Sequence, residues 1–128
     1  MSDPHPTEGE LAILRILWQH DAPMTVRDVH DELLQTKGTA YTTVLKMLTI
    51  MADKGLVVRD ESDCSHRYVA SYSEPVVQSS LLKNFLRNAF AGSAYKLVQR
   101  AIDTDTASDA ELDAIGKLIE EAKQRRKQ

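Results

Sequence analysis

Between Thr25 and Tyr72 the chain changes its hydrophobic period in a fixed order: TVRDVHDELLQTKGTAYTTVLKMLTIMADKGLVVRDESDCSHRYVASY. Thr25 is suited to cap a helix, Asp28 three residues on complements the positive helix start, and Val26, Val29, Leu33 and Leu34 keep helical spacing. Gly38 is expected to end that helix. A second helix follows from about Ala40 to Lys54, with Val44, Leu45, Met47, Leu48 and Met51 toward the core and Gly55 suited to the left-handed position after its last turn. Leu56–Arg59 and Arg67–Tyr72 then carry β-branched and aromatic residues, with Asp60 to His66 as a polar turn between them. Two helices on a short glycine-containing joint, followed by a two-stranded wing, predict a winged helix-turn-helix: mainly α with a small β wing, a fold that lays one helix in the major groove of DNA.

The flanks extend this into two domains, 1–74 for DNA binding and 75–128 as a three-helix dimerisation domain. Thr7-Glu8-Gly9-Glu10 has the form of a capping box opening a helix to about His20, with Leu11, Leu14, Leu17 and Trp18 as its buried stripe. Glu74-Pro75 marks the domain boundary, because proline suits the first turn of a helix and biases its predecessor away from helix. The next helix, Val76 to Ala91, is apolar around much of its circumference through Val77, Leu81, Leu82, Phe85, Leu86 and Phe90. So small a domain hardly covers two apolar faces, which points to a second copy of the chain. Gly92-Ser93 breaks and recaps the chain into a short helix with Leu97, Val98, Ala101 and Ile102. Ser108 to Glu111 is a further capping box, opening a last helix with Leu112, Ile115, Leu118, Ile119 and Ala122 inward and a basic end. Leu82, Phe85, Leu86, Phe90, Leu112, Ile115 and Ile119 are the candidate dimer contacts.

Candidate DNA contacts are Thr39, Ala40, Tyr41, Thr42, Thr43 and Lys46, on the first turns of the second helix, where short hydroxyls and a backbone N-terminus meet phosphates and base edges. The competing local roles are Thr39 as a cap, Tyr41 packed against the wing and Lys46 merely solvated. Arg67 is the wing candidate, although at a strand start it can equally pair with Asp60 or Glu61.

Charge runs against a large electrostatic footprint. Residues 1–74 hold 7 Lys and Arg against 12 Asp and Glu, a net of -5, and residues 75–128 hold 9 against 7, a net of +2, giving the overall -3. Affinity for nucleic acid would therefore rest on a few placed groups rather than on bulk charge. The acidic half also leaves open a winged-helix module that binds protein instead of DNA. Nothing in the chain supports an enzyme: Ser62, Asp63, Ser65 and His66 are adjacent rather than convergent. No metal or cofactor is expected, because Cys64 and His66 alone do not make a closed site. The single Cys64 fits a reducing compartment, and the start MSDPHPTEGE lacks a basic segment followed by an apolar run, so a cytoplasmic location without membrane insertion is expected.

The run AYTTVLKMLTIMADKGLV, preceded by LAILRILW and TVRDV and followed by HRY, resembles the penicillinase-repressor family, the BlaI/MecI/CopY transcriptional regulators. FLRNAFAGSAYKLVQRAI and the final SDAELDAIGKLIEEA resemble that family's dimerisation region, so the likeness covers nearly the whole chain. It implies a homodimeric repressor on a dyad-symmetric double-stranded DNA operator, released in many members when a membrane sensor-protease system causes cleavage. By the same resemblance the cut would fall between Arg100 and Ala101. The chain departs from the family pattern at Ile50, where many members carry a basic residue, and at Asp63 and Cys64, where they carry glycine and arginine. The C-terminal cysteines of the copper-responsive members are absent from it.

Overall fold

The computed structural model describes residues 3–127. Its elements run α1 (Glu8–His20), β1 (Met24–Thr25), α2 (Val26–Leu34), α3 (Tyr41–Asp53), β2 (Val57–Asp60), β3 (Arg67–Ala70), α4 (Glu74–Phe90), α5 (Ala94–Asp103) and α6 (Asp109–Arg126). The chain is mainly α with a small antiparallel sheet of order β1-β3-β2, as expected of a winged helix, with one strand more than the hairpin read from the sequence. That strand, β1, is two residues long and pairs Met24 with Tyr68 and Thr25 with Arg67. Two residues cannot display a period, so only the partner strand reveals them.

Helix starts follow local chemistry. Thr7 and Glu10 exchange side-chain and backbone hydrogen bonds at α1, Thr25 and Asp28 do so at α2, and Ser108 and Glu111 at α6. Helix α3 ends as its glycine predicts: Gly55 sits at φ 81°, with Leu56 N–H bonded to Met51 O at 2.9 Å and Gly55 N–H to Ala52 O at 3.1 Å. Gly38 has no such role, because α2 stops at Leu34 and closes through Lys37 N–H to Leu33 O at 2.6 Å. Ser93 caps α5 by accepting from Lys96 N–H.

The chain divides into two compact units, Met1–Leu82 and Lys83–Gln128. The division falls within α4, whose first turns belong to the first unit: Val77 and Ser80 are buried there, and the Ser80 hydroxyl donates to Pro4 O at 2.8 Å. The core of that unit joins Ile13, Leu14 and Leu17 of α1 to Val29 and Leu33 of α2, Val44, Leu48 and Met51 of α3, and Leu56, Val57 and Tyr68 around the sheet. Several expected core positions lie elsewhere. Leu11 and Trp18 are half-buried while Ile13 and Ile16 take the interior, because α1 packs on both α2 and the sheet and so buries a broader stripe. Leu34 and Leu45 face solvent, and Met47 is half-buried. Trp18 instead donates its indole N–H to Tyr72 O at 3.0 Å.

In the second unit neither α5 nor α6 buries a residue. Leu97, Ile115 and Ala122 are half-buried, while Tyr95, Val98, Ile102, Leu112, Leu118 and Ile119 are exposed, so most of the stripe read as inward on α6 is uncovered in the single chain.

Candidate nucleic-acid interface

Helix α3 is two-sided from its first turn. Val44, Leu48 and Met51 are fully buried. Tyr41, Thr42, Thr43 and Lys46, between and before those positions, face outward. This follows from helical period: once positions 44, 48 and 51 are committed to the core, 42, 43 and 46 project away from it. Ala40 is the N-cap and offers no side-chain acceptor, whereas Thr39 is half-buried and does not cap. Thr43 N–H and Val44 N–H both reach Ala40 O at 3.1 Å. The foremost amides of α3 thus lack a side-chain cap, and the positive end of the helix dipole stands open to an acceptor.

Arg27, on the first turn of α2, is a residue that spacing did not single out. Its guanidinium carbon lies 5.2 Å from the Tyr41 ring centroid, and the His30 ring meets the same tyrosine edge-on at 5.8 Å. A guanidinium over an aromatic face is oriented while its N–H groups stay free to donate. The i to i+14 separation of Arg27 and Tyr41 carries no local signal, so nothing in the sequence pattern marks the pair. Arg27, Tyr41 and Leu45 also line, with Cys64, Ser65 and His66 of the wing, a cleft of about 490 Å3. Tyr41 therefore packs with α2 and faces the wing across this cleft, still partly exposed.

The wing itself is electrostatically closed. Arg67 Nη1 lies 2.9 Å from Asp63 Oδ2, and Arg59 Nε lies 2.9 Å from Glu61 Oε1. Arg67 thus pairs with Asp63, inside the turn, and with neither of the acids considered from sequence. The second oxygen of Asp63 accepts from Ser65 N–H at 2.8 Å, and Asp60 accepts from Ser62 N–H at 2.9 Å. The Ser62 backbone and hydroxyl hold the Asp60 carboxyl below its usual range, with a further contribution from Arg67. Tyr68 first and Glu61 next push the Arg59 guanidinium further up. Lys46 and Arg27, by contrast, have no carboxylate at ion-pair distance among the described residues.

One ion pair joins the end of α3 to α1. Lys54, the C-cap of α3, donates to Glu10 Oε1 at 2.7 Å, and the same oxygen accepts Thr7 N–H at 2.9 Å. Burial pushes the Glu10 carboxyl up, but Lys54 and the Thr7 backbone outweigh it and hold it below its ordinary value. Cys64 is exposed and free, and among the described residues no three His, Cys, Asp or Glu side chains cluster as metal ligands would. No described helix is long and apolar enough to cross a membrane.

The family model for the penicillinase repressor matches residues 6–121. Over 113 residues the chain is 31% identical to the transcriptional regulator BlaI of Mycobacterium tuberculosis, covering 88% of this chain and 80% of that one. The penicillinase repressor of Bacillus licheniformis is 22% identical over 125 residues, 98% of this chain and 97% of its own. The solution structure of monomeric Bacillus licheniformis BlaI in complex with the blaP half-operator superposes with a TM-score of 0.50 at 21% identity, over 59% of this chain and 90% of that one, a likeness of fold. With the winged helix in place and the family match running from before α1 into α6, the chain belongs to the penicillinase repressor family, whose members are transcriptional regulators and not enzymes.

Proposed function

We propose that the protein is a sequence-specific DNA-binding repressor that acts as a homodimer on a dyad-symmetric operator. The observation that carries this reading is the first turn of α3, where Tyr41, Thr42, Thr43 and Lys46 are exposed ahead of an uncapped helix start while the opposite face is locked into the core. Thr42 and Thr43 read base edges, the open amides after Ala40 meet a phosphate beside Thr39, and Lys46 and Arg27 supply charge. Arg67 reaches the backbone from the wing. The complex of the Bacillus licheniformis relative with a half-operator supports DNA as the partner.

Residues 1–74 carry DNA binding and residues 75–128 dimerisation, although the first turns of α4 are packed into the first compact unit. Leu82, Phe85, Leu112 and Ile119 are exposed in the single chain, and Leu86, Phe90 and Ile115 are half-buried. Covering that surface by a second copy removes an apolar area too large for a solvated monomer. Two recognition helices then address half-sites roughly 34 Å apart, one turn of DNA, or a small multiple.

Release from DNA follows cleavage between Arg100 and Ala101, prompted by a membrane sensor-protease system. Both residues are exposed on α5, a ten-residue helix that buries nothing, so the local opening that a protease needs is cheap. The cut detaches α6 from the dimer and lowers the effective concentration of the second DNA-binding unit.

The test of DNA recognition is a salt-resolved titration of the full chain against the duplex upstream of its own coding sequence. Thr43→Ala should weaken specific binding by about 1 kcal/mol or more, and Lys46→Ala should weaken all sequences alike and flatten the salt slope by about one unit. Equal, sequence-independent losses from both changes would reduce Thr43 to a structural role. Absence of any binding at low salt would favour a protein-binding module instead.

A further inference from the structure

The wing presents its two arginines already occupied. Arg67 is held by Asp63 and Arg59 by Glu61, each at 2.9 Å, and all four side chains are substantially exposed. The other oxygen of Asp63 accepts from Ser65 N–H at 2.8 Å, which orients the carboxylate toward Arg67. A carboxylate and a phosphate offer a guanidinium the same kind of acceptor pair. We propose that Asp63 is an affinity-setting residue of the wing, its carboxylate standing where a DNA phosphate would sit against Arg67.

This rests on the DNA-binding reading above and adds a competition to it. Binding must exchange one anion for another on Arg67, and the displaced Asp63 is left facing a polyanion. Exposed ion pairs are weak, so the exchange is affordable and the wing remains usable. The displaced carboxylate must take up a cation as DNA arrives, so fewer counterions are released overall. Affinity then depends less on wing charge and more on Lys46 and Arg27, which meet no carboxylate among the described residues, and on the base contacts of α3. Glu61 does the same to Arg59 one strand away. A repressor built this way binds all DNA less tightly through its wing, and leaves discrimination to the base contacts of α3.

The experiment uses the full-length chain with two duplexes of equal length, one from immediately upstream of its coding sequence and one unrelated, by fluorescence anisotropy across a salt series. Asp63→Asn keeps an oxygen for Ser65 N–H and removes only the charge. It should tighten binding to both duplexes by about three- to tenfold at low salt and steepen the salt slope by roughly 0.9 per protomer. In an Arg67→Gln background the same change should lose more than half of its gain, since the competition no longer has its object. Wild-type binding with no gain from D63N overturns the inference while leaving the DNA-binding reading intact. So does an equal gain in both backgrounds, which would reduce Asp63 to simple repulsion. Failure of every variant to bind either duplex at low salt refutes the DNA-binding reading and the inference with it.

Discussion

Replacing Lys54 by Met tests whether the back of the recognition helix is held by a single charge. Glu10 is almost fully buried, and its Oε1 has two partners, Thr7 N–H at 2.9 Å and Lys54 Nζ at 2.7 Å. Methionine keeps the length of the stem and leaves the carboxylate with one backbone donor. Stranding a fully buried charge costs about 3–5 kcal/mol, but the Lys54 side chain is 41% exposed, so water reaches this edge of the core and about 1–2 kcal/mol is the better figure. For a unit the size of Met1–Leu82 that lowers the midpoint by roughly 5–15 °C. The sign in pH follows from the lowered Glu10 carboxyl: its contribution is fully present above its ordinary value of 4.5 and is lost as pH falls through the lower folded value. In K54M the lowering by Lys54 is gone and burial weighs against the charged carboxylate, a cost felt at neutral pH and lifted as the carboxyl protonates in acid. The gap between wild type and variant should therefore be wide at neutral pH and narrow below 4.5. Glu10→Gln combined with K54M removes the stranded charge and should be more stable than K54M alone. Thermal melts by circular dichroism at the two pH values measure all of this. A gap that does not change with pH, or a double variant less stable than K54M, would refute the electrostatic account.

Phe85 is 55% exposed and meets Phe90 edge-to-face at 5.6 Å, so Phe85→Ala removes the part that a second copy would cover, about 1 kcal/mol per protomer and, with two protomers, roughly 30-fold in dimer dissociation. Sedimentation equilibrium reads it, and a full-length chain that is monomeric at micromolar concentration before any substitution would remove the dimer. Mass spectrometry of the protein from induced cells should show the fragment ending at Arg100. An intact chain on a derepressed promoter would point to a ligand, or to oxidation of Cys64, as the switch.

What the sequence determined by itself lies within a few residues along the chain. The capping boxes at Thr7 and Ser108 and the Thr25 cap with Asp28 close between positions three apart, and the left-handed end at Gly55 depends on one residue's lack of a Cβ; each is legible because the residues involved sit in the same helical turn. The same locality made the order helix, helix, hairpin readable, and with it the outward face of α3 at Thr42, Thr43 and Lys46. Tertiary packing decided the rest. β1 exists only because β3 lies beside it, and Leu34 and Leu45 keep helical spacing yet face solvent because the neighbouring elements cover a narrower arc than the apolar residues span. Arg67 had three acids within reach, and the path of the turn put Asp63 against it rather than Asp60 or Glu61. Arg27 over Tyr41 and Lys54 on Glu10 join residues 14 and 44 positions apart. Sequence patterns report the period of one element; which side chains of two elements meet is set by how those elements pack, and the charge balance of this interface is decided there.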